Sequence, residues 1–148
     1  MTKKLLVALA ACSILSLSAC GGDDGDNESK ALSKDEFIEK ADKICAGGDD
    51  EIDAAEKSFA DPENPTEEEM DAAIDDILIP TLKDELEQLR DLKPPEDDED
   101  EVDSMLDSLE KAIEDIEKDW RTGFTGQNIE DANEKATALG LEECGDDE

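Results

Sequence analysis

The side chains with the most chemistry in this 148-residue chain are four cysteines, Cys12, Cys20, Cys45 and Cys144. No histidine accompanies them, so Cys–His and Ser–His nucleophile arrangements are absent. No C-x-x-C spacing occurs, which argues against a dedicated redox pair. A zinc site would need more Cys or His ligands than the chain supplies. Ser108-Leu109-Glu110-Lys111 has the S-x-x-K spacing of a serine nucleophile with a lysine base. Its companion S-D-N and K-T-G motifs are missing, and its apolar neighbours place it on an ordinary amphipathic helix. Carboxylate neighbours such as Asp75 and Asp76 are expected by chance among 46 acidic residues. No catalytic residue, metal ligand or cofactor is therefore expected. Trp120, Arg121 and Phe124 stand together and are a candidate partner patch. The competing and preferred reading has Trp120 closing the core.

These residues sit in an unusual background. Charged residues make up 41% of the chain and aromatics 3%, and the formal net charge is −32. Such a surface repels nucleic-acid phosphate, so DNA and RNA are excluded as partners. Basic partners and cations remain open. The densest acidic run, Glu96 to Glu101, reads as a solvated face, and divalent-cation binding or sensing by such a surface is the alternative function.

The position of Cys20 is informative. Lys3 and Lys4 precede an apolar stretch from Leu5 to Leu17, broken only by Ser13 and Ser16. This is the anatomy of a signal peptide, and it is too short for a membrane span. It ends in Leu17-Ser18-Ala19-Cys20-Gly21, which resembles the lipobox of bacterial lipoproteins. That resemblance implies diacylglycerol on the Cys20 sulfur, cleavage after Ala19, and a protein held on the outer face of the cytoplasmic membrane. Two acyl chains anchor firmly, at about 0.8 kcal/mol per buried methylene, where one would not. Removing residues 1–19 takes away two lysines and no acid, so the mature side chains carry −34. Residues 20–31 then form the lipidated cysteine and a flexible acidic linker, whose eleven residues after Cys20 reach at most about 35 to 40 Å.

With Cys12 in the leader and Cys20 lipidated, Cys45 and Cys144 remain as one pair in an oxidising setting, and a disulfide is expected. It would close nearly the whole domain, 32–145, leaving 146–148 as an acidic tail.

Helical periodicity runs through that domain. Ser33 and Glu36 form a capping box, followed by apolar residues in steps of three and four from Phe37 to Phe59. The phase survives Gly47-Gly48, which predicts one helix ending near Ala60, with a break at the glycines as the alternative. Thr66 and Glu69 cap a second helix, expected to kink at Pro80 and to continue to Leu92. A third carries the stripe from Val102 to Trp120, with Gly123-Phe124-Thr125-Gly126 as a loop. A fourth runs from Ile129 to Leu139 and closes on Gly140, with Leu141 packing back. No alternating strand pattern appears. The expected fold is all-α, a small four-helix antiparallel bundle closed by one disulfide.

The opening "LSKDEFIEKADKICAG", the mid-chain Leu92-Lys93-Pro94-Pro95 and the closing Gly140-Leu141-Glu142-Glu143-Cys144 resemble a family of small exported actinobacterial proteins. The resemblance implies a helical domain with one Cys–Cys bridge and carries no activity with it. The expected function is a non-enzymatic, membrane-anchored envelope module that binds an envelope protein or a small ligand.

Overall fold

The computed structural model describes residues 31–145, and Cys12, Cys20 and most of the acidic linker lie outside them. Those residues are helical, and no strand occurs among them. In chain order the elements are α1 (Lys34–Glu56), α2 (Glu67–Ala73), a π-helical turn (Ile74–Leu78), α3 (Ile79–Asp91), α4 (Glu99–Lys118), α5 (Trp120–Gly123), α6 (Gln127–Leu139) and a closing 3-10 turn (Glu143–Gly145).

Both capping boxes form. The Ser33 backbone N–H donates to Glu36 Oε2 at 3.0 Å, and the Glu36 N–H donates back to Ser33 Oγ at 3.4 Å. At α2 the Thr66 N–H donates to Glu69 Oε2 at 2.9 Å, with Glu69 N–H to Thr66 Oγ1 at 3.2 Å. The second oxygen of Glu69 accepts from the Ala60 N–H at 3.0 Å, so this carboxylate also fixes the chain leaving α1. These backbone donors hold the Glu69 carboxyl below its ordinary range.

α1 runs unbroken through Gly47 and Gly48 but stops at Glu56, short of the expected Ala60. There the Ser58 hydroxyl donates to the Ala55 carbonyl at 2.6 Å, and the Ser58 and Phe59 N–H groups make i→i+3 bonds. A side chain competing for a helical carbonyl ends the regular ladder.

The adjustment to Pro80 falls before the proline. Pro80 has no N–H, and its ring crowds the carbonyl four residues back. The chain inserts a π turn, in which the Ile79 N–H reaches the Ile74 carbonyl, and Pro80 then occupies the first turn of α3. The wider turn shifts the helical phase. Ile79 becomes buried, and Thr81 and Glu85 turn inward with it.

A second departure comes at Asp119. The expected third helix through Trp120 is divided: α4 ends at Lys118, and Asp119 is extended, with φ −160° and ψ 98°. Its carboxylate accepts from the Arg121 N–H at 3.2 Å, and its carbonyl accepts from the Gly123 N–H at 2.8 Å, which starts α5 at Trp120 and takes in Gly123, the first residue of the expected loop. Gly123 packs against the Ile116 backbone, so the chain folds back onto α4.

The main core draws on α1 (Phe37, Ala41), α3 (Leu86, Leu89), α4 (Val102, Met105, Leu106) and α6 (Ala136, Leu139). Gly140 takes φ 92°, a left-handed conformation that suits glycine, and the Leu141 N–H then reaches back to the Ala136 carbonyl at 3.0 Å. Leu141 is buried as expected. A smaller cluster, Ile74, Ile79 and Ile116, forms where the π turn meets the end of α4, with Trp120 at its edge.

Candidate functional site

Cys45 and Cys144, 99 residues apart in sequence, meet at the disulfide distance, S–S 2.06 Å. Cys45 lies on the buried face of α1, and Cys144 in the closing 3-10 turn. The Glu143 N–H donates to Asp42 Oδ1 at 3.1 Å beside them. The bridge thus ties the C-terminal end to the middle of the first helix.

Between α1 and α3 runs a groove of about 420 Å³. Glu51 near the end of α1 accepts from the Thr81 hydroxyl at 3.3 Å, and ahead of α1 the Leu32 N–H donates to the Lys93 carbonyl at 2.9 Å. The two helices meet closely because Gly48 has no side chain. A Cβ there would lie 1.5 Å from Glu85 Oε1 and 3.0 Å from Thr81 Cγ2. The Glu85 carboxyl occupies that space, and the residue is only 8% exposed. Burial pushes its pKa up to about 8, and Asp49, Asp84 and Glu51 push it the same way. Glu85 is therefore largely protonated at neutral pH. Lys40, Lys43, Ile44, Gln88 and Leu92 line the same groove.

The sequence did not single out Glu85. Its signal is weak: Thr81 and Glu85 are spaced by four on one helix face, but the π turn decides that this face is buried. Gly48 is the better clue, since a glycine in phase with the apolar residues of a helix allows another element to approach closely.

The candidate patch is divided in its surroundings. Trp120 is half-buried, at the edge of the smaller cluster and away from the centre of the main core. Its Nε1–H donates to Asp71 Oδ1 at 2.9 Å. The Arg121 guanidinium stacks 4.3 Å from the Trp120 ring centroid and pairs with Glu67 and Asp71. Trp120 and Arg121 thus bind α5 to α2. Phe124 remains 40% exposed.

Ser108 is not paired with the lysine of its motif. Lys111 is exposed, while Lys135 on α6 donates to Ser108 Oγ at 2.7 Å and to the Ser104 carbonyl at 3.2 Å. The Ser108 hydroxyl in turn donates to the Ser104 carbonyl at 3.2 Å. Ser108 is 5% exposed, so this arrangement fastens α6 to α4 and presents no nucleophile at the surface. Asn128 reinforces the seam by donating to Asp115 Oδ2 at 2.8 Å; Asn128 and then Lys118 hold the Asp115 carboxyl below its ordinary range.

Among the described residues no group of three or more Cys, Asp or Glu side chains is placed to hold a metal ion, and no helix is long and apolar enough to cross a membrane. No known protein family, curated protein or solved structure matches the chain.

Proposed function

We propose that the chain is an exported lipoprotein, anchored through diacylglyceryl-Cys20 on the outer face of the cytoplasmic membrane. It serves there as a non-enzymatic binding module for an envelope protein or a small ligand. The division of labour among the cysteines carries this reading. Cys20 follows the apolar leader and precedes the acidic linker, while Cys45 and Cys144 sit at bonding distance, as suits an oxidising compartment. The domain is a four-rod antiparallel bundle of α1, the α2–α3 rod, α4 and α6. The net charge of −32 favours basic or zwitterionic partners over anionic ones.

The test is crosslinking in intact cells followed by identification of the captured protein, run beside a Cys20→Ala chain. Capture of a defined envelope protein that is lost in Cys20→Ala supports the module. Equal recovery of both chains from the soluble fraction contradicts it.

A further inference from the structure

We infer that the groove between α1 and α3 binds a small zwitterion, whose terminal ammonium lies on Glu85 and whose terminal carboxylate faces Lys40 and Lys43. Such a ligand is one form of the binding role proposed above, on which this assignment rests.

Three features converge. Glu85 is 92% buried, lines the groove, and has no hydrogen-bonding or ion-pair partner among the described residues. A buried carboxyl without a partner is costly, and an ammonium entering the groove supplies one. Lys40 and Lys43 make no ion pair among the described residues, although the chain has 46 acidic side chains and 14 basic ones. Among the described residues no fully buried side-chain oxygen lacks a hydrogen-bond partner, so the unpartnered Glu85 carboxyl packed against Gly48 keeps some contact with solvent, through which a ligand head reaches it.

The helical rise fixes the size. Lys43 and Lys40 lie five and eight residues before Gly48, or about 7 to 12 Å along the axis. Ile44, Gln88 and Leu92 add apolar and polar surface to the same groove, and Glu51 and Asp84 add carboxylates. The charges of the ligand are accordingly separated by a short chain, as in an ω-amino acid or a short peptide, and not borne on adjacent carbons. A volume of about 420 Å³ holds a molecule of that size.

Pairing with an ammonium favours the ionised carboxyl. Because burial holds Glu85 protonated at pH 7, the proton passes from Glu85 to the buffer when the ligand binds.

The experiment uses the full chain in detergent micelles at 0.15 M salt, titrated with 6-aminohexanoate and with trialanine. Hexylamine and hexanoate serve as single-charge controls. Amide shifts are followed by NMR, and heats are measured in buffers of different ionisation enthalpy. The expected result is saturable shifts centred on Gly47, Gly48 and Glu85, and release of close to one proton at pH 7. Binding of at least one zwitterion should be at least tenfold tighter than either control. Preference for trialanine assigns the site to peptides, and preference for 6-aminohexanoate to ω-amino acids.

Glu85→Gln abolishes the proton release and weakens binding at least tenfold. The double variant Lys40→Met/Lys43→Met reduces the zwitterion to the level of hexylamine and leaves hexylamine unchanged. Hexylamine binding as tightly as the zwitterions, shifts spread over the acidic surface, or affinity unchanged by Glu85→Gln overturns the assignment. An acylated chain that binds no member of the series overturns the groove and leaves the anchored module standing. Zwitterion binding by native protein that carries no acyl group on Cys20 supports the groove and overturns the anchor.

Discussion

At the scale of single residues, Gly48 and Glu85 have to be considered together. The space a Cβ would take is filled by a carboxyl group, and the carboxyl is held protonated by burial. An unfolded glutamate titrates near 4.5, and the folded one at about 8. Between these values the folded state keeps a proton that the unfolded chain has lost. Stability from this group is therefore greatest below about pH 4.5, falls as pH rises to 8, and is level above. Allowing for solvent at the groove mouth, the loss amounts to about 2 to 4 kcal/mol. Glu85→Gln should match the parent near pH 5 and exceed it by that amount at pH 8.5 in urea unfolding. Equal midpoints for the two proteins at both pH values would contradict the burial of an unpartnered carboxyl. Gly48→Ala should drive the Glu85 carboxyl toward the groove and lower its pKa, read by carboxyl carbon shifts. Gly47→Ala meets nothing within 4 Å and should stabilise the helix by about 1 kcal/mol.

At the scale of elements, signals carried by neighbouring residues are legible in the sequence, as is the single cysteine pair, whereas the path of the chain between elements is not. The capping boxes at Ser33 and Thr66 and the glycine stop at Gly140 involve residues within one turn of each other, so sequence alone exposes them. The π turn before Pro80 is different. A kink, a broken ladder and an inserted residue all relieve a proline, and the cluster of Ile74, Ile79 and Ile116 comes from the path actually taken. The division at Asp119 was hidden for the same reason. The apolar period runs smoothly to Trp120, while the return of Gly123 onto Ile116 follows from the extended Asp119, and the hydrogen bond from Trp120 to Asp71 joins residues far apart in the chain. Ser108 shows how a motif misleads, since its lysine comes from another helix. Removing that lysine by Lys135→Met should cost about 1 to 2 kcal/mol in denaturant unfolding through the lost hydrogen bonds between α4 and α6. Lys111→Met should stay within about 0.5 kcal/mol. The reverse ranking would restore the sequence motif.

At the scale of the whole molecule, two long-range forces oppose each other. A net charge of −32 strains the fold by self-repulsion, which salt screens over about 8 Å at physiological ionic strength. Raising NaCl from 0.02 to about 0.5 M should therefore raise the thermal midpoint of the oxidised protein, and a flat response would show that the charge is already neutralised. Against that repulsion stands the bridge between Cys45 and Cys144, which spans nearly all of the described residues. A closed loop of that length contributes about 4 to 5 kcal/mol when the unfolded chain is otherwise free. Reduction should lower stability by about 2 to 5 kcal/mol, measured as a shift in the urea midpoint with and without reductant. The same pairing leaves Cys20 as the one cysteine of the proposed mature chain without a cysteine partner, and the proposal puts the lipid there. Intact-mass and peptide mass spectrometry of protein purified from its native membrane tests this most directly. The predicted result is a mature chain beginning at Cys20 with added diacylglyceryl mass and a single Cys45–Cys144 linked peptide. A retained leader, an unmodified Cys20, or Cys20 disulfide-bonded to either of the other two would contradict it.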